Sequence, residues 1–142
     1  MKVGVLSYPT LFQNEGGLQV QVRESIAELG LLGVDIRLLD LTSDKLADYD
    51  VVHVFAVTHG NHKLIEEARA KGCAVVVSSL LNRVLVPPDT FTLRIVRLLG
   101  RAIARLSRYT VTTNDETVKK SLESAAHVIA LSRWERETLS RV

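Results

Sequence analysis

Short apolar runs alternate with helical patterns along the chain, and this alternation limits the possible folds more than any other feature. Strands that alternate with helices build a parallel sheet with helices on both faces. We therefore predict an α/β, Rossmann-like, doubly wound parallel sheet of about five strands, with 2-1-3-4-5 as the most economical strand order. The predicted strands are 2–7, 34–39, 51–55, 74–79 and 128–131, and the helical patterns start at Leu18, near Lys63, after Pro88 and at Trp134.

Composition narrows the class of protein. The 142 residues are 46% hydrophobic and 24% charged, which suits one globular domain with a substantial core. A net charge of +2 and 5% aromatic residues give little reason to expect nucleic-acid binding. The one cysteine, Cys73, adjoins an apolar run and is typical of a small buried hydrophobe in a reducing compartment. We predict a protein that is cytoplasmic or bound to a membrane face, because the first residues enter a strand pattern without a signal-peptide core and no apolar run approaches the roughly 18 residues of a spanning helix.

Two adjacent glycines, Gly16 and Gly17, stand at the start of the first helical pattern. Glycine there supplies either a positive φ or room for a ligand to approach the backbone. The free amides and dipole at a helix start favour a phosphate or carboxylate, whereas the alternative is a plain long turn. The predicted helix has an apolar stripe with polar residues off it: Leu18, Val22, Ile26 and Leu29 against Gln19, Arg23 and Glu28.

The predicted strand order also predicts where a ligand binds. In doubly wound sheets, ligands lie at the carboxyl ends of the strands where the winding reverses, here strands one and three. Segments 8–17, 55–62, 80–83 and 132–133 meet at that edge. The candidate substrate-binding residues are Tyr8, Gly16, Gly17, Phe55, His59, Asn82, Arg83 and Arg133.

Three segments resemble the N-terminal, acceptor-side half of GT-B-fold retaining glycosyltransferases of family four: "MKVGVLSYP…EGGLQVQV", "YDVVHVF" and "SAAHVIALSRWERETL". The resemblance implies a domain that binds a glycan or lipid-linked acceptor, with the glycine loop near the acceptor and the donor phosphates. It implies a nucleotide-sugar donor held mainly by a C-terminal domain that 1–142 does not include, so that this chain alone is inactive. It also implies a mechanism that needs no metal or other cofactor.

The chain departs from the family pattern at two histidine positions. The family often has H-x-H at the end of the third strand, where this chain has HVF over 53–55, so that Phe55 is predicted to point into the cleft. It often has T-x-H at the end of the fourth strand, where this chain has SSL. His59 is the candidate catalytic replacement, with His62 as the other choice, and His53 is interpreted as structural. The missing histidines leave an alternative open, a non-catalytic binding or partner module of a split glycosyltransferase.

Two further motifs have structural explanations. The D-x-D triplet over 48–50 precedes a strand at the edge away from the expected site, so no metal site is predicted. Ser132 and Glu135 have the spacing of a capping box, in which the serine side chain meets a helix amide and the glutamate reaches back. Arg133, between them, is free of that role and is a candidate anion contact.

Five arginines share one narrow arc of the long helical tract, at about 100° per residue. No acidic residue lies between Thr90 and Thr113. A solvated face is the plain interpretation, and peripheral contact with an anionic membrane at its inner face is the sharper one, at about 1 kcal/mol per basic residue. Because the opposite, apolar face is predicted to pack in the core, that contact would be electrostatic. The arginines are Arg94, Arg97, Arg101, Arg105 and Arg108, and the apolar residues are Ile95, Val96, Leu99, Ala102, Ile103 and Leu106.

Overall fold

Five parallel strands form one sheet in the order β2-β1-β3-β4-β5, which confirms the predicted fold class and strand order. The computed structural model describes residues 1–13, 15–57, 61–80, 91–92, 95–96, 98–100 and 114–140. The strands are β1 Lys2–Leu6, β2 Asp35–Leu38, β3 Val51–Phe55, β4 Ala74–Ser78 and β5 His127–Ile129. The helices that the structure delimits are α1 Gly17–Leu31, α2 His62–Ala70, α3 Asn114–Glu123 and α4 Arg133–Leu139.

The central strands are rich in valine because each is covered on both faces. β-branched side chains suit such strands, since they pack well on a pleated surface. In the register, Leu6 of β1 lies opposite Val54 of β3, and Phe55 lies opposite Ser78 of β4. The carboxyl ends of β1, β3 and β4 are therefore level, and the segments that follow them meet at one edge.

Successive residues of each strand point to opposite faces, so the sheet separates two cores. Residues of α2, α3 and α4 pack on one face, and α1 packs on the other. The first core contains Leu6, Val52, Val54, Ile65, Val75, Val77 and Val118, with Trp134 and Leu139 of α4 packed against it. The second contains Val5, Leu11, Val22 and Phe55, with Tyr8, Leu18 and Ile26 packed against it.

The buried stripe of α1 differs from the prediction at one position. Gln19, predicted to lie off the stripe, is only 9% exposed. It precedes the fully buried Val22 by three residues, and residues three apart share one side of a helix. The buried face is therefore centred on Val22 and includes a polar side chain. The helix ends at Leu31, and Gly33, two residues further on, is left-handed with a φ of 80°.

The long tract after Pro88 has helical backbone at 91–92, 95–96 and 98–100. Its predicted core face is wrong in this part of the chain, because Ile95, Val96 and Leu99 are 45%, 54% and 58% exposed. The physical reason is that a helical period shows which side of a helix is apolar but does not show what covers that side. Within the described ranges, no helix is long and apolar enough to cross a bilayer.

Candidate functional site

The candidate site is the carboxyl edge of the sheet between β1 and β3. The chain winds from β1 to β2 in one direction and from β3 to β4 in the other, which opens a crevice where the winding reverses. Ser7, which follows β1, donates its hydroxyl to the carbonyl oxygen of Phe55 at 3.2 Å. The two strand ends are therefore joined at the floor of the site.

The segment after β1 folds back over the end of β3. The amide of Leu11 donates to the carbonyl of Tyr8 at 3.1 Å, which begins a short 3-10 turn, Leu11–Gln13. The Leu11 side chain is buried against Phe55, and Tyr8 is half-buried beside it. Outside this cover, the guanidinium of Arg23 lies 5.2 Å from the centre of the Phe12 ring.

A cavity of about 190 Å³ lies between this segment and the end of β2. Its walls combine aromatic and aliphatic surface with one carboxylate, Asp40. The Asp40 carboxylate accepts from the Thr42 hydroxyl at 2.6 Å, from the Thr42 amide at 3.0 Å and from the Ser43 hydroxyl at 2.9 Å, and these bonds lower its pKa. The cavity is lined among others by Tyr8, Pro9, Phe12, Leu38, Asp40 and Leu41.

The glycines at the start of α1 leave open space and have no need of a positive φ. Gly16 has a φ of −175°, an extended conformation that any residue adopts, and Gly17 is not left-handed either. Of the two alternatives, the positive φ therefore does not apply to these glycines. A Cβ added at either position would meet no atom within 4 Å. The N-cap residue is Gly16, which has no side chain that could bond to the first amides of the helix. The second expectation, room for a ligand to approach the backbone, remains a prediction that this geometry allows.

Two residues at the ends of β3 and β4 have left-handed backbone although neither is glycine. Ala56 has a φ of 73° and Leu80 a φ of 49°, conformations that cost on the order of 1 kcal/mol each. Neighbours hold the first of them: the Ala56 amide donates to the Ser78 carbonyl at 3.0 Å, and the Asn61 side-chain amide donates to the Ala56 carbonyl at 2.9 Å. Asn61 is 2% exposed, so this bond is shielded from water.

His53 is half-buried on β3 and pairs with β4. Its Nε2 lies 2.9 Å from the Ser78 hydroxyl, and its ring centroid lies 4.2 Å from that of Phe55. Burial lowers the pKa of His53 to about 4, so the ring is neutral at pH 7. A serine beside a neutral histidine has the spacing of a nucleophile and base, but Ser78 is 2% exposed and closed to a substrate. These contacts agree with the structural interpretation of His53.

Phe55 lies at the predicted end of β3, but its side chain does not point into an open cleft. It is 1% exposed and packs with Leu11 and Val22 in the core beneath α1. The sequence interpretation of its orientation is therefore wrong. The physical reason is that the 3-10 turn after β1 covers this position with the apolar Leu11. A role for Phe55 in substrate binding stays a prediction.

Glu135 of α4 forms a buried link to the end of β4. The Ser132 hydroxyl accepts from the Glu135 amide at 3.1 Å, which confirms the serine half of the capping box. The Glu135 carboxylate is 2% exposed and accepts from the Leu131 amide at 2.6 Å and from the Ser79 hydroxyl. Sequence reasoning found the cap but missed Ser79, because that residue is 56 positions away and no local spacing relates the two.

Arg133 and the D-x-D triplet lie away from the crevice. Arg133 begins α4, two strands beyond β3, and its Nε lies 3.5 Å from the carboxylate of Glu137. Asp50 precedes β3 at the opposite edge, where its carboxylate accepts from the Lys2 amide at 2.6 Å. Among the residues with described positions, no group of three or more His, Cys, Asp or Glu could hold a metal ion.

Several predicted residues lie outside the described part of the chain. Comparison with known proteins also assigns no role to this edge, since no protein-family model, curated protein or solved structure matches the chain. The described site therefore consists of the open start of α1, the cavity between the segment after β1 and the end of β2, and a closed polar wall where Glu135 bonds to Ser79 and Leu131. The predicted residues that lie outside the described part of the chain are His59, Asn82, Arg83, Arg94, Arg97, Arg101, Arg105 and Arg108.

Proposed function

We propose that this chain is the acceptor-binding half of a glycosyltransferase that transfers a sugar from a nucleotide-sugar donor to a glycan or lipid-linked acceptor. The observation that carries the proposal is the uncovered start of α1 beside the reversal of the winding, where Gly16 and Gly17 leave the backbone accessible. The resemblance of three segments to such transferases supports the same assignment. The confirmed strand order is consistent with it.

The proposed binding mode uses backbone as well as side chains. The first amides of α1 have no partner within the helix, and together with the helix dipole they attract an anionic group such as a phosphate. The cavity between the segment after β1 and the end of β2 offers the rings of Tyr8 and Phe12 for packing and the Asp40 carboxylate for hydroxyl groups. An acceptor that combines sugar hydroxyls with a phosphate matches both parts. Transfer would then require a second domain that holds the donor across a cleft.

A second candidate function is a binding or partner module without catalysis. The observation that favours it is the closed state of the third-strand end, where His53 is paired with Ser78 and Phe55 is buried. Neither side chain is available to a reacting group in this arrangement. A donor-binding domain with a glutamate pair, encoded beside this one, would favour the transferase, and its absence from the gene would favour the module.

Titration of the purified chain tests the proposal. Calorimetry with a panel of nucleotide sugars is expected to show no micromolar binding, because the donor is assigned to another domain. Amide NMR with phosphorylated and unphosphorylated methyl glycosides is expected to show shifts at Leu18 and Gln19 that are larger for the phosphorylated probes. Micromolar binding of a nucleotide sugar to this chain would contradict the assignment as the acceptor half.

A pair of matched variants locates the binding. Gly17→Val places a side chain at the start of α1, whereas Gly30→Val places the same side chain near its end, and both positions have open space. Gly17→Val is expected to weaken glycoside binding at least about tenfold, and Gly30→Val is expected to leave it unchanged. Equal glycoside binding by the two variants would indicate that Gly16 and Gly17 form only a turn and do not contact the ligand.

A further inference from the structure

The described residues between 91 and 100 expose an unusual amount of apolar surface. Backbone is helical at 91–92, 95–96 and 98–100, and every large apolar residue described there is exposed. The exposed fractions are 78% for Phe91, 45% for Ile95, 54% for Val96, 71% for Leu98 and 58% for Leu99. Soluble proteins rarely expose a contiguous apolar patch without a binding role.

The helical period places most of these side chains together. In the sequence, a period of about 100° per residue puts Phe91, Ile95, Leu98 and Leu99 on one side of a helical wheel. We call these four residues the apolar strip. The strip lacks the burial that the periodicity predicts, so its partner lies outside the described core.

The charge of the surrounding sequence indicates the partner. Five arginines and no acidic residue occur between Thr90 and Thr113, although the whole chain has a net charge of only +2. A basic segment with an exposed apolar strip matches the composition of helices that lie in the surface of anionic membranes. A second copy of this chain fits less well, because its own basic segment would repel this one.

We propose that segment 91–100 binds an anionic lipid bilayer, with the apolar strip entering the boundary between headgroups and acyl chains. This differs from the purely electrostatic contact expected from the sequence, which assumed that the apolar face packs in the core. The basic charge of the segment draws it to the surface, and burial of the strip then strengthens the attachment. The inference stands independently of glycoside binding at the sheet edge.

Vesicle sedimentation with matched variants tests the proposal. The test variant is Leu98→Ser with Leu99→Ser, and the control is Leu31→Ser with Leu32→Ser, another adjacent leucine pair, which is 82% and 78% exposed. The unmodified chain is expected to sediment at low salt with vesicles of equimolar phosphatidylglycerol and phosphatidylcholine, and far less with phosphatidylcholine alone. The test variant is expected to bind at least about tenfold more weakly, and the control is expected to bind like the unmodified chain.

Four results would overturn the proposal. They are a lack of sedimentation with anionic vesicles at low salt, undiminished binding by the test variant, equal binding to phosphatidylcholine vesicles, and an equal loss of binding by the control. Light scattering tests the alternative partner, a second copy of this chain. If the unmodified chain is a dimer that does not bind vesicles, and the test variant is a monomer, the strip is assigned to a second copy and the membrane proposal is overturned. If the test variant does not fold, Phe91→Ser replaces it, since that side chain is 78% exposed.

Discussion

The two sides of the carboxyl edge differ in what satisfies their polar groups. On the β4 and β5 side, a side chain from another element bonds to the strand ends, as Glu135 does to Ser79 and to the Leu131 amide. On the β1 side, the start of α1 carries Gly16 and Gly17 with open space around both. The β4 and β5 side is therefore a closed wall, and the β1 side is where a ligand can reach the backbone.

Because of this difference, we expect one side to contribute mainly to stability and the other mainly to binding. Buried polar bonds fix geometry, because a buried donor or acceptor that loses its partner destabilises the fold. The exposed amides at a helix start do not hold other elements in place, but they can bind an anion with little rearrangement of the protein. Substitutions should therefore affect mainly stability at the wall and mainly binding at the start of α1.

The largest expected effect concerns Phe55, which packs in the core beneath α1. Phe55→Ala should lower the free energy of unfolding by about 3–5 kcal/mol, since it leaves a cavity in a well-packed core. Phe12→Ala is the matched control, because Phe12 is 37% exposed and should cost much less. Urea unfolding of both variants measures the difference. Similar losses for the two phenylalanines would contradict the burial of Phe55.

Removal of the Glu135 carboxylate is expected to destabilise the closed wall on the β4 and β5 side. Glu135→Ala should lower the free energy of unfolding by about 2 kcal/mol, because the Ser79 hydroxyl and the Leu131 amide both lose their acceptor. Glu137→Ala, an exposed position on the same helix, is the control and should change stability by less than about 0.5 kcal/mol. If both glutamate variants unfold at the same urea concentration, the buried link does not stabilise the wall.

Acid should weaken the wall through His53. Its pKa is about 4 in the folded chain and about 6.5 when unfolded, so protons bind the unfolded chain more readily. The stabilising contribution is complete above pH 6.5 and is lost as the pH falls towards 4. We expect a loss of about 1–2 kcal/mol, less than the pKa difference implies because the ring is partly exposed.

His53→Gln tests this pH dependence, since it keeps a polar side chain opposite Ser78 and does not titrate. Thermal midpoints measured from pH 7 to pH 4 should fall less in this variant than in the unmodified chain. His127→Gln, at an exposed position, should retain the full pH dependence. An unchanged pH dependence in the His53 variant would rule out this residue as the source.

The smallest expected effect on stability is at the open side. Gly17→Ala should leave the free energy of unfolding unchanged or raise it by up to about 1 kcal/mol, because alanine suits a helix better than glycine and meets no atom within 4 Å. Gly4→Ala contrasts with it: a Cβ there would lie 2.8 Å from Cγ of the buried Leu39 and should cost about 1–3 kcal/mol. Equal unfolding curves for the two alanine variants would contradict the difference in packing between Gly17 and Gly4.

The sequence was sufficient for the architecture. Valine-rich runs separated by helical periods predicted a parallel sheet, and the preference for right-handed crossovers predicted its order, as observed. The Ser132 cap was also readable, because a capping bond joins residues three apart. These features share a cause: they depend on local periodicity, local propensity or a rule of chain winding.

The tertiary structure alone decided which side chains are covered. The turn after β1 buries Phe55, the Ser79 hydroxyl meets Glu135 across 56 residues, and the apolar strip of 91–100 is exposed although its period predicts burial. Each outcome depends on which element packs against which. A sequence pattern identifies an apolar or polar face, but contact between distant segments is set by the packing of the whole chain, so these features could not be predicted from spacing.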